Sequence, residues 1–217
     1  MWEFLRDLFG HGRADADARR WIVVDTETTG LDPDRDSMLS IGGVAITDGR
    51  LELADSFEML VFTEGPVVAE NVLVHGIGRE LRAAGVPLEE AIPAWRSWRA
   101  GAPAIAFHAE FDRRMLRTAV RRAGLEPDPR PWLDVAHLGE ALDPEFGDRP
   151  RSLDEWLEHA SIPIVERHSA AADALATAQL LMKFLPLAGA SGVTGLPALR
   201  RMARRHHRRR AALGGGA

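Results

Sequence analysis

Apolar positions in this chain first follow a two-residue period and later a helical one. Trp21–Val24 is a continuous apolar run rich in β-branched residues, the pattern of a strand buried on both faces. Ser37–Thr47 predicts a second strand, and Asp48-Gly49 is a hairpin signal. Leu51–Phe62 follows, with Phe57, Met59 and Val61 alternating. The chain therefore opens with three strands, two of them joined by a tight turn.

Beyond residue 80 the spacing lengthens. Leu88, Ala91, Ile92 and Trp95 lie at helical intervals, and Pro93 is expected to limit the first turn. Ala104–Phe107 reads as a short strand, and Ala109–Ala123 as a helix stopped by Gly124. Trp132–Leu142 predicts a strand end running into a helix, and Ser152-Leu-Asp-Glu155 is a capping box. Ser169–Leu185 is an Ala-rich helix expected to stop at Pro186, and residues 195–212 predict a last, basic helix. This order indicates an α/β fold, a mixed sheet flanked by helices.

Composition narrows the chemistry. The 217 residues contain no cysteine, which excludes disulfides, thiolate nucleophiles and Cys-ligated zinc. It also fits a reducing, cytoplasmic compartment. No apolar run reaches the length of a membrane span. Residues 200–217 hold seven Arg and no acid, leaving 20 basic against 32 acidic residues elsewhere, a body of −12 and a tail of +7. The expected organisation is an amphipathic segment and linker over residues 1–20, a body over 21–186, and an Arg-rich extension over 187–217. That extension either holds nucleic acid by charge or is a disordered, solvated end.

The chemistry lies in the acids. On a strand, residues two apart share a face, so Val23, Asp25 and Glu27 are co-facial. Two carboxylates at the end of a buried strand repel unless a proton or cation separates them, and hard oxygen donors suit Mg²⁺ or Mn²⁺. An exposed, solvated pair is the alternative. Asp112 falls in the first turn of a helix, where a carboxylate is also explained by the helix dipole. Phe111 beside it reads most simply as core. Asp173 lies among alanines that let a helix approach the sheet, and a carboxylate desolvated there needs a partner. His168 precedes that helix, and its ordinary pKa near 6.5 suits a general base; a capping or surface role is the alternative.

In the order Asp-x-Glu, Asp, His-x4-Asp, these five residues resemble the DEDDh family of 3′–5′ exonucleases, the DnaQ-like group. Val24-Asp-Thr-Glu-Thr-Thr-Gly-Leu-Asp-Pro33 is similar to the family's first motif, and most similar to proofreading epsilon subunits of bacterial DNA polymerase III. Val74-His-Gly-Ile77, Trp132-Leu-Asp134 and Ser152-Leu-Asp154 extend the resemblance over about residues 20–186. The chain departs where Phe107-His108 replaces the usual His-Asn. An Arg-rich extension stands where a clamp-binding motif would follow.

The resemblance implies a ribonuclease H-like, five-stranded mixed sheet and hydrolysis of terminal phosphodiesters to nucleoside 5′-monophosphates. It implies two divalent metal ions, Mg²⁺ or Mn²⁺, on Asp25, Glu27, Asp112 and Asp173, with His168 taking the proton of the attacking water. Thr26, Thr28, Thr29, Leu31, Glu70, His75, His108 and Phe111 would contact substrate. For Leu31 core packing, and for Glu70 a solvated surface position, stand as alternatives. The expected partners are 3′ ends of single-stranded DNA, or of RNA, and a polymerase or other protein. A non-catalytic binding subunit is the competing reading; a zinc deaminase, prompted by His108-Ala-Glu110, fails for lack of cysteine.

Overall fold

The computed structural model describes residues 19–64, 76–163 and 169–214. In chain order the elements are β1 (Arg20–Thr28), β2 (Met38–Thr47), β3 (Arg50–Leu60), α1 (Arg79–Ala83), α2 (Leu88–Arg99), β4 (Ala104–Ala106), α3 (Glu110–Arg122), β5 (Leu133–Asp134), α4 (Val135–Leu142), a 3₁₀ turn (Phe146–Asp148), α5 (Leu153–His159), α6 (Ala170–Ala190) and α7 (Leu196–Gly214). Of the amphipathic segment and linker expected over residues 1–20, residues 1–18 lie outside the described residues, and Arg20 already opens β1.

The five strands form one sheet of order β3-β2-β1-β4-β5. The first three pair antiparallel, while β4 and β5 run parallel to β1. Asp48 and Gly49 both have positive φ, 50° and 75°, the backbone that a two-residue hairpin turn demands. Gly124, φ 72°, closes the chain after α3.

Alternation along β1 sorts its side chains into two layers. Trp21 and Val23 face a core built with Leu138 of α4, Trp156 of α5, Leu181 of α6 and Leu199 of α7. Ile22 and Val24 face the other side, against Trp95 of α2 and Leu116 of α3. Continuing the alternation sends Asp25 and Glu27 toward the α6 layer and Thr26 toward the α3 layer. Adjacent glycines on β2 admit both layers. A Cβ on Gly42 would lie 2.1 Å from the backbone of Ala170 and Ala171, and one on Gly43 2.8 Å from the Trp98 ring.

Two expectations about proline are corrected. α2 begins at Leu88 and runs through Pro93, and α6 continues through Pro186 to Ala190. A proline inside a helix removes one N–H and frees the carbonyl four residues earlier. Pro93 and Glu89 are both exposed, and so is Pro186, so water meets those groups and the buried faces hold the helices intact.

The basic end of the chain is also corrected in one respect. Leu196, Leu199 and Ala203 of α7 are buried in the α6-side core. Arg210 donates to the carbonyls of Gly147 and Asp148 at 2.8 and 3.0 Å, and lies 3.4 Å from the buried Glu140. A helix fastened in this way is not a disordered, solvated end.

Candidate active site

The carboxyl end of β1 is where the site is built. Asp25 and Glu27 share the α6 face, and α6 supplies Asp173. Ser169 caps this helix, its hydroxyl accepting the Ala172 N–H at 3.2 Å, which puts Asp173 in the first turn. There the helix dipole favours a negative charge. The alanines around Asp173 and the bare Cα of Gly42 bring the helix onto the sheet. Carboxylate oxygens of Asp25, Glu27 and Asp173 consequently lie within 4.8 Å of one another. Asp173 is buried and the other two are half-buried, so water screens their repulsion poorly.

Asp112 takes a different position. It reaches β1 from α3, on the opposite face, and accepts the Thr26 hydroxyl at 2.8 Å. Among the described residues the three-carboxylate cluster does not include it. Burial pushes the Asp112 carboxyl up to about 7, against the Thr26 hydroxyl and nearby backbone N–H groups that pull it down; Asp134 adds a further upward push. Asp134 itself ties two elements together. It accepts the Ala109 N–H at 2.9 Å and the His137 N–H at 3.2 Å, joining the entrance of α3 to the start of α4.

The loop after β1 is locked from within. The Thr28 hydroxyl donates to the Gly30 carbonyl at 2.7 Å, and the Thr29 hydroxyl donates to Asp36 at 3.0 Å. Asp36 also accepts the Asp32 N–H at 2.8 Å. A Cβ on Gly30 would strike the Asp36 carboxylate at 2.5 Å. Leu31 projects from this loop 87% exposed, which removes core packing as its explanation. His108 is exposed with φ 52°. Asn, Asp and His are the side chains most enriched in that left-handed region, so one backbone demand accommodates both this His and the Asn usual in the family. Phe111 is half-buried against the α2–α3 core. His168, Glu70 and His75 lie outside the described residues.

Sequence reasoning missed Gly42, Asp36 and the tethering role of Asp134. The glycine next to a strand alternation carried a faint signal of close approach. Asp36 carried none apart from its residue type, and Asp134 stood out only as part of the Trp132-Leu-Asp134 stretch of the resemblance.

Comparison with known proteins identifies the family. Residues 22–181 match the family model described as Exonuclease (RNase_T). A DNA polymerase III subunit epsilon-like protein of Rhodobacter capsulatus is 33% identical over 212 residues, which cover 93% of this chain and 30% of that protein. The PolC-type DNA polymerase III of Thermotoga petrophila is 30% identical over 177 residues, 81% of this chain and 12% of the polymerase. The chain thus spans less than a third of the length of either relative. Among solved structures, exonuclease X in complex with 5′ overhanging duplex DNA superposes with a TM-score of 0.65 at 23% identity, covering 84% of this chain and 99% of that one. The nuclease domain of 3′hExo, a DEDDh family member bound to rAMP, gives 0.66 at 16% identity over 77% and 92% of the two chains. The chain belongs to the exonuclease family, as a DnaQ-like 3′–5′ exonuclease domain on a ribonuclease H-like sheet.

Proposed function

We propose that this domain shortens single-stranded DNA from the 3′ end, releasing nucleoside 5′-monophosphates, in proofreading or repair. The observation that carries the reading is the convergence of Asp25, Glu27 and Asp173 within 4.8 Å at the end of the central strand. Three carboxylates this close favour a cation or shared protons, and an all-oxygen donor set fits Mg²⁺ or Mn²⁺. Asp25, Glu27 and Asp173 would hold two such ions, with Asp112 completing the set from the other face of β1. When bound, the ions supply charge stabilisation at the phosphate and a more acidic water.

The chain's own residues do the rest. Thr26 holds the Asp112 carboxyl at 2.8 Å and so fixes the fourth acid relative to the first two. The locked loop of Thr28, Thr29 and Asp36 presents Leu31 to the last bases, and the resemblance assigns Glu70 and His75 a contact with the terminal nucleotide. His108 and Phe111, at the entrance of α3, approach the nucleotide before it. His168 stands next to the Ser169 cap in sequence, and its imidazole takes the proton lost by the attacking water. The water oxygen bonds to phosphorus as the phosphorus–O3′ bond breaks, and the departing O3′ takes a proton from solvent, leaving a new 3′ hydroxyl on the strand. The epsilon-like relative supports a polymerase as protein partner. Among the described residues no helix is long and apolar enough to cross a membrane.

The test is the release of mononucleotides from labelled single-stranded DNA and RNA with Mg²⁺, Mn²⁺ or EDTA. A DNA rate exceeding the RNA rate is expected. The reverse ratio would make RNA 3′-end trimming the better reading.

A further inference from the structure

A second feature opens on the same edge of the sheet. A groove of about 660 Å³ runs past the carboxyl ends of β4 and β5 and is walled by α7. Strand register sets its place: Val23 of β1 pairs with Ile105 of β4, and Ala106 of β4 pairs with Asp134 of β5. His108 and Asp134 therefore lie one and two strands along from Asp25. Arg200, Arg204 and His207 line the groove from α7, His137 from α4, and Trp132 from the approach to β5.

The charge in this groove is one-sided. Its acids are Glu110, ion-paired with Arg113 at 2.8 Å, and Asp134, engaged with the Ala109 and His137 N–H groups and 3.4 Å from His137 Nδ1. Arg200 and Arg204 stand four residues apart on one helix, a like-charge spacing that repels. The His137 and His207 rings lie 4.1 Å apart. No acid follows Asp173 in the chain, so every charged side chain that α7 carries is basic. A polyanion passing along the wall would relieve the repulsion.

We infer that this groove binds the sugar–phosphate backbone of the substrate strand upstream of its 3′ end, with a base against Trp132. The direction of the strand rests on the exonuclease reading above. From Arg200 to His207 the helix rises about 10 Å at ~1.5 Å per residue, enough to follow a short stretch of backbone past the terminal nucleotide. Bases stack on aromatic faces without regard to sequence, so the groove extends grip rather than base preference.

The experiment uses the full chain and two variants with paired substitutions in the same helix. Arg204→Gln with His207→Gln alters the groove wall. Arg205→Gln with Arg209→Gln alters exposed positions that do not line it. Binding of fluorescein-labelled dT20 and dT2 is measured in EDTA across a salt series, with a poly-glutamate peptide as competitor. Hydrolysis of the p-nitrophenyl ester of thymidine 5′-monophosphate is followed with Mn²⁺. The groove variant is expected to bind dT20 about tenfold more weakly, with a log–log salt slope shallower by about 0.7 per lost phosphate contact. Its dT2 binding and ester hydrolysis should stay within about twofold of the parent, as should dT20 binding by the off-groove variant. Equal losses in both variants, or an unchanged salt slope, would overturn the assignment. So would displacement of dT20 by poly-glutamate at matching charge concentration, which would point to an acidic protein segment as occupant. If the parent leaves the ester intact while the groove variant still loses dT20, the groove stands and the exonuclease reading falls.

Discussion

Thr26 donates its hydroxyl to Asp112 at 2.8 Å, inside the protein and on the face of β1 opposite Asp25 and Glu27. One strand thus organises acids on both of its sides. Asp112 sits where its neutral form is favoured, at about 7. Its folded-state pKa exceeds the unfolded value, so its contribution is complete below pH 4 and is lost as pH rises through about 7. In EDTA, stability should fall between pH 4 and pH 7, by about 1.4 kcal/mol per unit of separation between the two pKa values. Asp112→Asn should flatten that fall, as read from urea midpoints at the two pH values. Equal slopes in parent and variant would contradict the assignment.

Metal binding should appear as stability without any substrate. Mg²⁺ or Mn²⁺ at a hundred times its dissociation constant adds about 2.7 kcal/mol to a protein that binds it only when folded. Thermal melts of the parent should shift upward with metal. Melts of Asp25→Asn and Asp173→Asn should shift much less, because each removes one of three clustered carboxylates. A full shift in both variants would place the ions elsewhere.

Gly42→Ala tests how Asp173 reaches the sheet. The added Cβ meets the Ala170 and Ala171 backbone at 2.1 Å, and backbone cannot rotate away. The expected cost is about 1–3 kcal/mol, with nuclease activity falling at least about tenfold as the first turn of α6 lifts. Gly139→Ala is the comparison. Its Cβ meets the Phe184 ring at 2.8 Å, in the same core layer but against side chains, so it should lose stability and keep most activity. Activity losses that merely track the melting temperature in both variants would deny Gly42 a special place.

Leu31→Ala should separate binding from folding. A side chain 87% exposed contributes little to stability, and the melting free energy should stay within about 0.5 kcal/mol. The KM for single-stranded DNA should rise several-fold. An unchanged KM would leave Leu31 without a role in the substrate contact proposed for it.

Much of this was legible in the sequence because it is local. Period-two alternation placed Asp25 and Glu27 on one face. Residue chemistry located the Asp48-Gly49 turn and the Ser152 capping box, where Ser152 and Glu155 bond each other's backbone N–H groups. What escaped depends on partners far along the chain. Gly42 matters because of Ala170, and Pro93 and Pro186 are tolerated because they fall on exposed faces, which their own identity does not reveal. The basic run after residue 199 showed its charge in the sequence. That Leu199 and Ala203 fasten it beside β5 follows only from tertiary packing.

The central claim is that the carboxylates at the end of β1 carry out hydrolysis from the 3′ end. The most direct measurement is gel analysis of 5′-labelled single-stranded DNA incubated with Mg²⁺, alongside EDTA, Asp25→Ala and His168→Ala. The account predicts a ladder shortening from the 3′ end that vanishes in EDTA and drops by at least about a hundredfold in both variants, the lower end of the range for a lost general base. An intact substrate under every metal, or a ladder that survives Asp25→Ala, would contradict it.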